Sequence, residues 1–155
     1  MSDCSHFTPG LEPTLAEISR LASRLQDDWW VIGSAAVALA GVAIEVPEVD
    51  LLVSERDART LLTGWAISKS GTAEQDRFRS VPGEHQGTPI PIEVMGKLEV
   101  SIEGQWIPVR PNTRERVELP GGPVYIPDVA DQLALLLMFR RTKDLVRAEL
   151  LMTRT

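Results

Sequence analysis

The chain predicts a mixed α/β (α+β) domain, a small sheet with flanking helices and a helical pair at its C-terminal end. Three observations carry that prediction. Helical periodicity brackets the sequence, over residues 14–26 at one end and beyond Asp128 at the other. Two strand–turn–helix units follow the first helix, and beyond Gly64 the pattern becomes short alternating segments separated by Gly, Pro and polar residues. At 155 residues and 43% hydrophobic, the chain is long enough for one domain with a real core and short for a second.

In order along the chain, Thr14 and Glu17 have capping-box spacing, and Leu15, Ile18, Leu21, Ala22 and Leu25 recur with helical period. Residues 1–13 read as a tail. "WWVIG" reads as a short buried strand ending in glycine, and "SAAVALAG" as a compact helix closed by Gly41. "VDLLVS" reads as the next strand, and Ser54 with Asp57 opens the helix "ERDARTLLTG". "WAISKS", "DRFRSV", "PIPIEVM", "KLEVSIE" and "QWIPV" predict a meander or paired strands, with Pro89 and Pro91 favouring an edge or a strand start. "RPNTRERVELPGGPVYIP" reads as turn-rich. Asp128 then caps a helix with Leu133, Leu136 and Leu137 on an apolar face, and a second helical pattern runs from Lys143 to Met152. The expected division is a core over 14–126 and a C-terminal helical segment over 127–155 packed on the same domain.

Composition narrows the function classes. A net charge of −6 and a pI near 4.9 argue against broad attachment to nucleic acid, which needs a basic surface to release counterions. "FRRTKDLVRAELL" gathers Arg140, Arg141, Lys143 and Arg147, which reads most simply as a solvated helix face. No apolar run approaches membrane-spanning length, and the first ten residues lack a basic start and apolar stretch, so no membrane is expected and the cytoplasm is the expected location. Cys4 is the single cysteine, which fits a reducing compartment, and Cys4 with His6 makes too poor a ligand set for a metal site.

The chemistry lies in the acids. Glu48 and Asp50 alternate with Val49 and Leu51, so in a strand both carboxylates project to one face with no base beside them. Glu93, between Ile92 and Val94, repeats the apolar–acid–apolar pattern on a later strand. A half-exposed strand facing water would show the same alternation. If the acids converge, each like-charge pair at about 4 Å costs on the order of 4 kcal/mol at an effective dielectric near 20, so a cation must offset it. Oxygen ligands without His or Cys point to a hard ion such as Mg²⁺, which takes one or two carboxylates together with substrate phosphates. Gly33 and Ser34 stand where a strand feeds a helix, a place that offers free backbone N–H groups to a phosphate.

"VIGSAAVALAG", then "EVDLLVS", then "PIEVM", resembles the nucleotidyltransferase superfamily of the DNA polymerase beta type. The small bacterial group with aminoglycoside and lincosamide nucleotidyltransferases and abortive-infection-type toxins is the nearest in flavour, and "DQLALLLMFRRTKDL" is similar to its C-terminal part. The likeness covers roughly residues 15–152 and implies a nucleotidyltransferase-like fold. It makes Gly33 and Ser34 the triphosphate-binding turn, Glu48 and Asp50 ligands of Mg²⁺ or Mn²⁺, and Glu93 the third carboxylate, as base or metal ligand for an acceptor hydroxyl. The implied reaction moves a nucleoside monophosphate from an NTP to a hydroxyl on a small molecule or macromolecule, with pyrophosphate leaving.

Two departures stand out. Glu48 occupies the place where the family usually has Asp, and Leu136 and Leu137 stand near where many relatives have a phosphate-binding lysine. Arg140, Arg141 and Lys143 are the expected substitutes at the phosphates. These departures support an alternative, a weak or inactive relative that binds nucleotide or a protein partner as half of a toxin–antitoxin pair. A chain this short leaves little protein to wall off an acceptor, so a homodimer or a protein partner completing the cleft is a further expectation. Trp29, Trp30, Trp65 and Trp106 read as packing residues, His85 in "PGEHQG" as a solvated loop histidine, and Arg77 and Arg79 as partners of surface acids.

Overall fold

A computed structural model describes residues 7–68, 73–75 and 77–154. Cys4 and His6 lie outside the described residues, as do Lys69, Ser70 and Asp76 of the expected strands.

Helix α1 (Leu11–Leu21) continues into a 3-10 turn (Ala22–Arg24) and starts three residues before the expected cap. The division expected between residues 13 and 14 therefore falls inside it. Gly10, left-handed at φ 91°, is the N-cap, and Leu11, Leu15 and Ile18 form one fully buried stripe. Thr14 does not cap: it is buried within the helix, its hydroxyl donating to the Gly10 carbonyl at 2.8 Å and accepting from the Ile90 N–H at 3.1 Å.

Next come β1 (Trp30–Ile32), α2 (Gly33–Leu39), β2 (Val49–Val53) and α3 (Glu55–Leu62), whose Ser54 cap accepts from the Asp57 N–H as expected. Then follow β3 (Ile67–Ser68), β4 (Ala73–Gln75), β5 (Phe78–His85), β6 (Ile92–Ile102) and β7 (Gln105–Pro108). The segments "PIEVM" and "KLEVSI" are one strand, not two. Gly96 joins them because helix α3 lies against it, so that a Cβ there would sit 2.4 Å from the Ala58 Cβ. His85 ends β5 and is no loop residue: its ring stacks on Trp65 at 4.1 Å and its Nδ1 lies 2.8 Å from the Trp65 carbonyl oxygen. The turn-rich segment holds a hairpin, β8 (Glu115–Val117) with β9 (Val124–Ile126). Each strand is too short to show alternation. Helices α4 (Val129–Phe139) and α5 (Thr142–Thr153) complete the chain, with Asp128 capping α4 as expected.

The main sheet runs β1-β2-β6-β5-β3, with β4 also on β5 and β7 also on β6. Strands β2 and β6 are parallel, and the other pairs in the sheet are antiparallel. This is the small mixed sheet with flanking helices expected from the sequence. One sheet face carries Val31, Leu51 and Val94 against α1 and α3. On the other, Trp30, Leu52 and Leu98 meet Leu135 and Phe139 of α4. Helices α2, α4 and α5 share a third cluster built on Val37, Leu136 and Leu151. Among the described residues, no helix is long and apolar enough to cross a membrane.

Candidate active site

The parallel register of β2 and β6 sets Asp50 directly beside Glu93. Neighbouring strands run about 4.8 Å apart, so in-register side chains on one face must meet. Glu48 precedes β2 by one residue and Asp50 by two. The three half-buried carboxylates each offer an oxygen within 4.8 Å of the others. The sequence brings these acids to one face and the register closes the set.

Asp50 is the most constrained of the three. Its Oδ1 is sealed from solvent without a hydrogen-bond partner, and its Oδ2 lies only 2.6 Å from where a Cβ on Gly33 would stand. Gly33 also has φ +70°. A side chain there would meet both a strained backbone and the carboxylate, so glycine is what lets the turn rest on Asp50. Burial, then the charges of Glu48 and Glu93, push the Asp50 carboxyl from its usual 3.8 up to about 7, while Arg147 and Lys143 pull it back. An orphaned carboxylate oxygen among converging acids fits a hard divalent cation, which would supply the missing partner and offset the repulsion.

Around the acids opens a cleft of about 400 Å³ reaching from Gly33 across Asp50 and Glu93 to Phe78 of β5 and Lys143 of α5. Helix α2 begins at its edge with Ile32 as N-cap and no side-chain cap. Ser34 is buried and does not line the cleft.

The expected cations separate. Arg140 is the exposed, left-handed C-cap of α4 and does not line the cleft. Arg141 and Lys143 do line it, but Arg141 is clamped by the buried Asp144, Nε to Oδ2 at 2.6 Å and Nη2 to Oδ1 at 3.1 Å. Arg147, read from the sequence only as part of a basic cluster, stands with its Nη1 4.0 Å from Asp144 Oδ1, and its charge acts on Asp50. Its i, i+4 spacing from Lys143 around Asp144 was the available signal. Leu136 is packed in the helical cluster and Leu137 is 52% exposed, so α5 and not α4 supplies the cations.

Arg79 pairs with Glu99 at 2.7 Å and lies 4.3 Å over the Trp106 ring, the acid pairing expected of it. Arg77 donates to the Ser101 and Phe139 carbonyls instead. None of the tryptophans lines this cleft. Trp29 and Trp30 are core residues, and Trp30 Nε1 donates to the Thr113 carbonyl at 2.8 Å.

No protein-family model matches the sequence, and none of the curated proteins does. Solved structures do match. A Thermotoga maritima protein assigned as a nucleotidyltransferase superposes with a TM-score of 0.73 at 25% identity, over 96% of each chain. A lincosamide antibiotic adenylyltransferase, seen with lincomycin bound, gives 0.55 at 11% identity, over 96% of this chain and 99% of that one. An antigenic nucleotidyltransferase-like protein from Paracoccidioides brasiliensis gives 0.55 at 16% identity, over 94% and 76%. The last two bear on fold alone. Together with the paired strands and their acids, these matches show that the chain has the nucleotidyltransferase-like fold and resembles the nucleotidyltransferase superfamily over nearly its whole length.

Proposed function

We propose that the protein is a metal-dependent nucleotidyltransferase that moves a nucleoside monophosphate from an NTP to a hydroxyl acceptor. The observation that carries this reading is the convergence of Glu48, Asp50 and Glu93 beside the Gly33 turn, with Asp50 Oδ1 lacking a partner. Glu48, Asp50 and Glu93 would hold Mg²⁺ or Mn²⁺. When bound, the ion would neutralise phosphate charge and ease loss of the acceptor's proton. Gly33 lets the backbone at the start of α2 approach the triphosphate closely, and Lys143 and Arg147 add positive charge from α5. Glu93, on the strand beside Asp50, takes up the acceptor's proton. The acceptor oxygen then forms a bond to the α-phosphorus as the bond to the bridging oxygen breaks, and pyrophosphate leaves.

The second reading, a weak or inactive relative that binds nucleotide or a protein partner, draws support from Glu48, whose extra methylene moves the carboxylate by about a bond length in an octahedral site that tolerates little displacement. Incubation of the pure protein and candidate acceptors with α-phosphate-labelled NTPs and Mg²⁺ or Mn²⁺ tests transfer: acceptor-dependent label that Asp50→Asn abolishes supports it. A thermal-shift titration separates the readings further. Stabilisation by NTP that requires the ion, without label transfer, favours the inactive relative. No stabilisation at millimolar NTP contradicts transfer and nucleotide binding alike, and leaves the protein-partner form of the second reading.

A further inference from the structure

The end of the cleft remote from the carboxylates has a different chemistry. Phe78 and Phe139 meet edge to face with centroids 5.2 Å apart, and Met95 and Leu98 complete an apolar floor. Over this floor lies Arg141, its Cζ 4.8 Å from the Phe78 centroid and 5.7 Å from that of Phe139. Asp144, 1% exposed, grips Nε and Nη2 of that guanidinium and also accepts the Arg141 backbone N–H at 3.1 Å. A carboxylate that takes Nε and one Nη together uses the edge of the guanidinium best suited to a phosphate. Its guanidinium carbon stands over the Phe78 ring, and the Arg141 side chain, 39% exposed, lines the cleft.

Resting on the nucleotidyl-transfer reading, we propose that Arg141, backed by Phe78 and Phe139 and locked by Asp144, is the stacking seat for the base of the nucleotide rather than a phosphate ligand. A guanidinium plane held rigid on an aromatic ring presents a surface on which a nucleobase stacks at little entropic cost, and such stacking tolerates any base because each has a π-face. The charge that phosphates need comes from Lys143 and Arg147, which act on Asp50 from further along α5.

The test compares two probes at fixed Mg²⁺: ATP, and inorganic tripolyphosphate, which keeps the phosphates and lacks the nucleoside. Calorimetric titration of the wild-type protein should show ATP binding at least about tenfold more tightly than tripolyphosphate. Arg141→Gln should bring ATP down to the level of tripolyphosphate while leaving tripolyphosphate within about twofold of wild type. Phe78→Leu, which keeps the Arg141–Asp144 pair, should remove part of the same advantage. Tripolyphosphate binding reports that each variant's site is folded. Equal wild-type affinities for the two probes, or an Arg141→Gln variant that loses both equally, would overturn the seat while leaving nucleotidyl transfer standing. Binding of neither probe by the wild type would remove the transfer reading, and the seat with it.

Discussion

Substituting Asp50 by Asn should make the metal-free protein more stable. Burial and the two neighbouring acids raise the folded-state pKa of Asp50 from 3.8 to about 7, so between these values the folded chain holds a proton that the unfolded chain has released. Stability therefore falls as pH rises through this window, and the penalty is complete above about pH 7 and absent below about pH 4. At about 1.4 kcal/mol per tenfold change in proton affinity, the ceiling is on the order of 4 kcal/mol. Water entering the open cleft lowers it, and about 2 kcal/mol corresponds to a rise in Tm of roughly 4–8 °C for a chain of this size. The assay is thermal unfolding in EDTA at pH 4.5 and pH 8, wild type against Asp50→Asn. The variant should melt several degrees higher at pH 8, and the gap should shrink strongly at pH 4.5. Added Mg²⁺ should raise the wild type and leave the variant unmoved. A variant that melts at or below wild type at pH 8, or a gap independent of pH, would refute the reasoning.

Other perturbations separate site from scaffold. Gly33→Ala forces a positive φ on alanine and drives its Cβ to within 2.6 Å of Asp50 Oδ2, so it should cost about 1–3 kcal/mol in urea unfolding and abolish the Mg²⁺-dependent Tm shift. Asp57, fully buried, accepts the N–H groups of Gln26 and Asp27 at 2.9 Å each; Asp57→Ala should cost about 2–3 kcal/mol yet leave the Mg²⁺-dependent shift intact. Arg147→Gln removes a cation that holds the Asp50 carboxyl down, so the pH at which the gap between wild-type and Asp50→Asn backgrounds is half developed should move upward.

Much of this was legible from residue order. Ser54 and Asp128 announced their helices because a cap is a local device, read within four residues. Thr14 misled because its spacing from Glu17 imitates a cap, while tertiary packing of Leu11 carries the helix further back and uses the Thr14 hydroxyl to bond Ile90. The acid–apolar–acid pattern brought Glu48 and Asp50 to one face, but the parallel register that seats Glu93 beside Asp50 is a long-range pairing that neither segment encodes alone. The cations were the least legible part. "RRTKD" gives no sign that Asp144 is buried and takes Arg141 for itself, or that Arg140 caps α4 without lining the cleft. The leucines at 136 and 137 gave no hint that cations lining the cleft, Arg141 and Lys143, come from the start of α5.

The central claim is that Glu48, Asp50 and Glu93 together hold a divalent cation, and electron paramagnetic resonance titration with Mn²⁺ measures that most directly, by counting free ion against protein. The account predicts saturable Mn²⁺ binding by the wild-type protein, tightened by ATP, competed by Mg²⁺ and lost in Asp50→Asn. Equal Mn²⁺ uptake by the wild type and Asp50→Asn, or none by either at millimolar ion, would contradict it.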